Sequence, residues 1–251
     1  MKKKILIVGY GNIGMHIEQE LHDAGDIWII DPKKGLCADN NVHYDFAFVC
    51  VPTDMLHDGS CDYSIVENVV STVNAEIVII KSTIPVGCSY LLASKYDRRL
   101  VFSPEYYGTT IQSPKAPNFV ILAGNKPDCD EVAELYYRVK GAHFHVKYTD
   151  YKTAELAKYM ENCFLALKVT FCAEFATIAK DFGISYPELR ELFVMDERMG
   201  DSHTYVHSDQ PYYDSHCLNK DIPALIKQTN KAHLMEAVQS INTRKKKDIA
   251  Y

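Results

Sequence analysis

The sequence predicts an α/β chain in two parts: a doubly wound parallel sheet over residues 1–149, then an all-helical domain over 150–251 built on a long central helix. Three observations predict it. Short apolar runs alternate with helically spaced stretches through the first part, the pattern of parallel strands joined by covering helices. A glycine turn, Gly9-Tyr10-Gly11-Asn12-Ile13-Gly14, joins the first run to the first helical stretch. From Tyr151 to Phe182 apolar residues recur at three- and four-residue spacing, until Gly183 closes the pattern.

The elements follow in order. Ile5 to Val8 is too short for a helix and reads as the first strand, with Met1-Lys2-Lys3-Lys4 as its polar lead rather than a signal sequence. Met15 to Ala24 has helical spacing, and Ile27-Trp28-Ile29-Ile30 is a second strand that stops at Asp31. Strand, glycine turn, helix and acid-tipped strand make a Rossmann dinucleotide-binding unit. Further strands are read at Phe46–Val51, Glu76–Lys81, Arg99–Phe102 and Phe119–Ala123, with an edge strand at His143–Val146. Tyr63–Val73 and Asp130–Val139 read as helices. Beyond the long helix come a short helix, Pro187–Met195, an irregular polar stretch, Gly200–His216, and a helical run from Leu218 to a solvated basic end, Arg244-Lys245-Lys246-Lys247.

At 251 residues, 47% of them apolar, the chain can form one large or two modest domains with a proper core. A net charge of -6 argues against a nucleic-acid partner. No apolar run approaches the ~20 residues of a bilayer span, so no membrane partner is expected. The eight cysteines form no C-x-x-C pair, and several, such as Cys50 and Cys163, lie within apolar patterns. That is the usage of a reducing compartment, and the cytoplasm is the expected location. There is no internal repeat.

The glycine turn carries the first chemistry. Gly9 permits the tight turn, Gly11 lets a pyrophosphate approach the backbone, and Gly14 lets the helix lie on the sheet. The helix start, Asn12 and Ile13, offers N–H groups and a partial positive charge to phosphates. Asp31, 17 residues after Gly14, is placed to bind the adenosine ribose hydroxyls and to repel a 2′-phosphate. The cofactor expected is NAD. Lys33 and Lys34 weaken that preference slightly.

Ligands of an open parallel sheet bind beyond the carboxyl ends of its strands. Three segments end there: Cys50-Val51-Pro52-Thr53, Lys81-Ser82-Thr83-Ile84-Pro85-Val86-Gly87 and Phe102-Ser103-Pro104-Glu105. Each alone is equally an ordinary proline-bearing exit from a strand. Lys158 and Asn162 share one face of the long helix, either as a functional pair or as the solvated edge of an apolar stripe. Cys217 precedes a helix start, where a thiolate gains from the helix dipole, and Asp221 follows one turn later. The plain alternative is a buried cysteine beside a solvated acid. His203 and His207 are four apart but lie in a loop, so that spacing has little force and no metal is expected. His143 and His145 read as solvent-facing.

Taken together, these segments resemble the UDP-glucose/GDP-mannose dehydrogenase family in order and spacing. The family's C-V-P-T is Cys50-Val51-Pro52-Thr53, its S-T-V-P-V-G is Ser82-Thr83-Ile84-Pro85-Val86-Gly87, and its S-P-E is Ser103-Pro104-Glu105. The central-helix pattern E-L-x-K-Y-x-x-N-x-F-L-A-x-K runs from Glu155 to Lys168. R-I-G appears as Arg198-Met199-Gly200, and C-x-x-K-D as Cys217-Leu218-Asn219-Lys220-Asp221.

The resemblance implies oxidation of a nucleotide-sugar C6 alcohol to a carboxylate, as in UDP-glucose 6-dehydrogenase, with two hydride transfers to NAD and a place in polysaccharide biosynthesis. It implies that Cys217 forms a thiohemiacetal and then a thioester, that Lys158 and Asn162 stabilise the C6 oxyanion, and that Asp221 assists the base chemistry. It further implies that Thr83 holds a water, Glu105 lines the site, and a homodimer forms through helix 151–182. Val51, Pro52, Thr53, Ser82 and Thr83 would complete the NAD site.

Three departures accompany it. The family's glycine-rich G-F-G-G-S-C reads Tyr212-Tyr213-Asp214-Ser215-His216-Cys217, and Thr109 stands where many members have an acid. The family's C-terminal domain, which holds the substrate's nucleotide, is expected to be absent, which would suit a smaller alcohol or a partner chain. Two other readings stay open: a β-hydroxyacid-type dehydrogenase without covalent catalysis, and a non-catalytic NAD-binding protein.

Overall fold

The computed structural model describes residues 2–38, 42–107 and 117–249. The chain divides into two compact units. Among the described residues, one takes 2–38, 42–54, 61–107 and 117–158, and the other takes 55–60 and 159–249. Thr109 lies outside the described residues.

In the first unit seven strands form one sheet: β1 (Lys3–Val8), β2 (Gly25–Ile30), β3 (Tyr44–Val49), β4 (Ala75–Ile80), β5 (Arg99–Phe102), β6 (Phe119–Gly124) and β7 (His145–Thr149). Their order is β2-β1-β3-β4-β5-β6-β7. Four helices belong with them: α1 (Asn12–Leu21), α2 (Ser64–Thr72), α3 (Cys88–Lys95) and α4 (Lys126–Lys140). The first five strands are parallel, as the alternating pattern predicts. β5 and β6 then pair antiparallel, and β6 and β7 are parallel to each other. The sequence between β5 and β6 holds Pro104, Pro114 and Pro117 and no helical spacing. An antiparallel pair means that the chain re-enters the sheet from the end at which it left.

Side chains alternate between the faces, so each strand feeds two cores. Ile5, Ile7, Phe48 and Ile79 pack with Ile17 of α1 and Leu135 of α4. Leu6, Val49, Val78 and Ile80 pack with Val66 of α2 and Leu92 of α3. The helix α3 has no counterpart in the sequence pattern. It starts after Gly87, and its apolar residues Tyr90 and Leu91 face solvent, so no periodic stripe announces it. His143 and His145, at the edge strand, are exposed.

The long helix α5 (Tyr151–Asp181) begins in the first unit and continues in the second, which adds α6 (Tyr186–Phe193), α7 (His216–Gln228) and α8 (His233–Ile249). The expected single C-terminal helix is two helices. Thr229 leaves the helix in an extended conformation, and its hydroxyl accepts from Lys231 N–H, a local bond that competes with helix propagation. The second unit's core gathers Cys163 and Ala166 of α5, Leu218 and Ile222 of α7, Val238 of α8 and Tyr213. By length and composition α5 is the one described helix apolar enough to cross a membrane, which the count of unbroken apolar runs did not show. Part of its surface is nevertheless packed in this core.

Candidate active site

The strand order reverses between β2-β1 and β3, which opens a crevice at the carboxyl ends of β1 and β3. The glycine turn sits there. Gly9 has φ +91°, in the left-handed region, and a Cβ on it would stand 2.6 Å from Cys50 O. A Cβ on Gly14 would stand 2.1 Å from Gly9 O. Only glycine permits this approach of α1 to the turn. At Gly11 a Cβ would meet nothing within 4 Å, so the space beside it is open. Asn12 and Ile13 begin α1, whose start has no side-chain cap, leaving its first N–H groups directed at the crevice.

Asp31 follows β2. Its carboxylate accepts from Tyr10 N–H at 2.9 Å and from Lys33 N–H at 3.1 Å, which fixes it beside the turn. Lys34 donates to Tyr10 O and lies 5.1 Å from the Tyr10 ring, so one of the two lysines is held against the turn. A cavity of about 650 Å³ opens here, lined by Gly9, Asp31, Val51, Pro52 and Val69 among others. Ser82 donates to Val51 O at 2.6 Å, tying the end of β4 to the segment after β3. Thr53 is buried and Thr83 half-buried. An adenosine fits this arrangement: an apolar pocket, a ribose-directed acid and a glycine turn at a helix start.

A buried ion pair stands at the ends of β4 and β5. Lys81 Nζ is 3.3 Å from Glu105 Oε2, with the side chains 3% and 7% exposed, and also donates to Ser103 Oγ. Glu105 Oε1 accepts the N–H groups of Tyr106 and Tyr107 at 2.9 Å each. Burial pushes the Glu105 carboxyl up, but Lys81 and then His16 outweigh it and hold the group below its ordinary value. Burial likewise works against the Lys81 ammonium, and Glu105 first among its neighbours reverses that and raises it. The Tyr106 ring lies 4.9 Å from Lys158 Nζ, a cation–π distance. Glu155 accepts from Gly87 N–H and Ser89 N–H at the start of α3.

The other candidate residues lie in the second unit. Cys217 is the second residue of α7 and is exposed, and Ser215 caps the helix by accepting Leu218 N–H at 3.2 Å. Asp221, one turn along, is 1% exposed. Its two oxygens accept from Asn162 Nδ2 and Lys220 Nζ, each at 2.6 Å. The sequence pattern gives Lys81, Tyr106 and Lys220 no separate role, although each adjoins a singled-out residue. The signal for Lys81 was a charge closing an unbroken apolar strand.

Comparison with known proteins matches two successive stretches of the chain. Residues 37–140 match the UDP-glucose/GDP-mannose dehydrogenase family, NAD binding domain, and residues 152–244 match its central domain. A UDP-glucose 6-dehydrogenase of Rickettsia conorii is 28% identical over 76% of this chain. The chain spans 46% of that relative's length. In structure it is similar to a UDP-glucose dehydrogenase from Pyrobaculum islandicum, with TM-score 0.80 and 19% identity, over 97% of this chain and 68% of that one. It is similar also to the 3-hydroxyisobutyrate dehydrogenase of Mycobacterium tuberculosis, with TM-score 0.66 and 16% identity, over 100% of this chain and 96% of that one. At these identities the structural likenesses speak to the fold. With both matched domains in sequence order and the glycine turn ahead of them, the chain belongs to the UDP-glucose/GDP-mannose dehydrogenase family and carries its NAD-binding and central domains.

Proposed function

We propose that this chain catalyses NAD-dependent oxidation of a nucleotide-sugar C6 alcohol to the carboxylate, through a covalent adduct on Cys217. The observation that supports it most is the exposed Cys217 at the start of α7, one turn from a buried Asp221 held at both oxygens. NAD, when bound, accepts a hydride from C6 at each of two oxidations. After the first, the Cys217 sulfur adds to the aldehyde carbon and the thiol proton passes to the oxygen, giving a thiohemiacetal. Loss of the second hydride and that proton leaves a thioester. Water then adds, the carbon–sulfur bond breaks, and the thiol is restored. One alcohol, one water and two NAD⁺ thus give one carboxylate, two NADH and three protons.

The remaining residues stabilise charge and move protons. Lys158, over the Tyr106 ring, would stabilise the C6 oxyanion. Asn162 has two amide hydrogens, so its bond to Asp221 leaves one for the same oxygen. Asp221 would take the alcohol proton or orient the hydrolytic water, since each oxygen keeps a second lone pair. Thr83 would hold that water, and Glu105 would line the site through the backbone it pins.

A second reading is oxidation of a hydroxyacid or smaller alcohol with no covalent step. It is favoured by Tyr212, Asp214 and Ser215 standing where the family's pattern has glycines. Turnover of a panel of nucleotide sugars and of 3-hydroxy acids, followed by NADH absorbance, separates the two. Turnover of hydroxy acids alone would overturn the nucleotide-sugar reading.

We also propose a homodimer through α5. Met160, Phe164, Phe171, Phe175, Ile178 and Phe182 recur at helical spacing and are all exposed. An apolar stripe of this extent marks an interaction surface. A dimer mass in solution at micromolar protein, reduced to a monomer by Phe164→Glu with Phe175→Glu, is the expected result, and a monomeric parent would contradict it. The eight free thiols, six of them buried, suit a reducing compartment such as the cytoplasm.

A further inference from the structure

Asn242 and Lys246 stand one turn apart on α8 and have no part in the chemistry above. Both bind the segment that leads into Cys217. The Asn242 amide, in a residue 5% exposed, pairs with both peptide groups of Tyr213. Tyr213 N–H donates to Oδ1 at 2.9 Å, and Nδ2 donates to Tyr213 O at 3.1 Å. The side chain thus stands in for the peptide of a neighbouring strand. The Tyr213 ring is buried with Cys163 and Leu218, so this residue is fixed by its backbone and its side chain together.

Lys246 Nζ donates to Asp214 Oδ1 and lies 5.5 Å from the Tyr212 ring. Asp214 Oδ1 also accepts from Asn219 Nδ2 at 2.7 Å, on the first turns of α7. Three consecutive residues are therefore held from α8, and Asp214 and Ser215 tie them back onto the helix that presents Cys217. A glycine-rich segment takes its shape from its backbone. This one takes it from side chains on another helix.

We infer that Asn242 and Lys246 are positioning residues that fix Tyr212–Asp214 and, through them, the place of the Cys217 thiol. The kinetic consequence rests on Cys217 being the nucleophile, whereas the positioning does not. The test uses the full chain with Asn242→Ala, Lys246→Met and Lys246→Arg. Alkylation of Cys217 by iodoacetamide is followed peptide by peptide, with exposed Cys37 as the internal reference. The six other thiols are buried, and burial pushes Cys50, Cys88 and Cys129 up to about 12.

Asn242→Ala and Lys246→Met are expected to shift the Cys217 rate, relative to Cys37, by about threefold or more, and to lower kcat about tenfold or more, with KM for NAD within about twofold. Lys246→Arg keeps the ion pair and is expected to stay near the parent in both. A parent-like Cys217 rate in Lys246→Met would overturn the inference, as would an arginine variant as impaired as the methionine one. Lys246 is partly exposed, so its variants carry the test should Asn242→Ala fail to fold. Failure of the nucleophile reading shows separately, as parent turnover in Cys217→Ala, and leaves the alkylation result standing.

Discussion

Lys81→Met is expected to destabilise the chain by about 3–5 kcal/mol, the usual cost of removing one partner of a buried ion pair. The arrangement leaves the carboxylate no escape. Glu105 Oε1 is committed to Tyr106 N–H and Tyr107 N–H, Oε2 faces Lys81, and the side chain is 7% exposed. Without the ammonium the carboxylate keeps two backbone donors but loses its counter-charge. Lys81→Met with Glu105→Gln is expected to recover part of the loss, since the buried charge goes too.

The pH dependence has a definite sign. Glu105 is depressed in the folded chain, so its contribution is fully present above the ordinary carboxylate range and is lost as pH falls through the depressed value. In Lys81→Met burial dominates and the carboxyl rises, so the variant is expected to lose less than the parent on acidification. Denaturant midpoints at neutral and acid pH read both effects. A neutral-pH loss under about 1 kcal/mol would contradict the pairing.

Gly14→Ala is expected to weaken NAD binding. The added methyl would stand 2.1 Å from Gly9 O and 3.1 Å from Gly9 C, both backbone atoms that cannot swing aside. The helix α1 must retreat, and its first N–H groups retreat from the crevice with it. Overpacking of this kind costs about 1–3 kcal/mol. If that strain falls on the crevice, NAD affinity drops by roughly 10–100-fold. Gly11→Ala makes the contrasting case. Its methyl meets nothing within 4 Å, so stability is expected to change by less than about 0.5 kcal/mol while binding still weakens, because the space beside Gly11 is where a pyrophosphate would lie. Calorimetric NAD titration beside denaturation separates the two. Parent-like NAD affinity in Gly14→Ala would contradict the account of the turn.

The legible parts of the fold were those whose physics is local. The five parallel strands show as short apolar runs because both of their faces are buried, and the long helix shows in its three- and four-residue apolar spacing. The glycine turn shows because its steric demands admit few residues. The antiparallel entry of β6 did not show, since it depends on the path between two strands rather than on either strand. Nor did α3, where exposed Tyr90 and Leu91 interrupt buried Cys88 and Leu92, or the break at Thr229, where the backbone turns extended.

Among the site residues, the motif segments stood out but their partners did not. Nothing in the spacing of Glu105 says that Lys81 meets it across two strands, or that Asp221 is held by Asn162 from 59 residues away. The long-range ties to Asn242 and Lys246 are of the same kind. They join a loop to a helix that the sequence presents only as a basic, solvated end.

The most direct test of the covalent mechanism is the number of NADH formed per nucleotide sugar consumed, in the parent and in Cys217→Ala. The parent is expected to form two NADH per sugar, with the carboxylate as product. Cys217→Ala is expected to lose carboxylate formation by about 10³-fold or more, the scale on which loss of a nucleophile is felt. One NADH per molecule oxidised, unchanged in Cys217→Ala, would contradict the covalent mechanism and leave a simple alcohol dehydrogenase on the same fold.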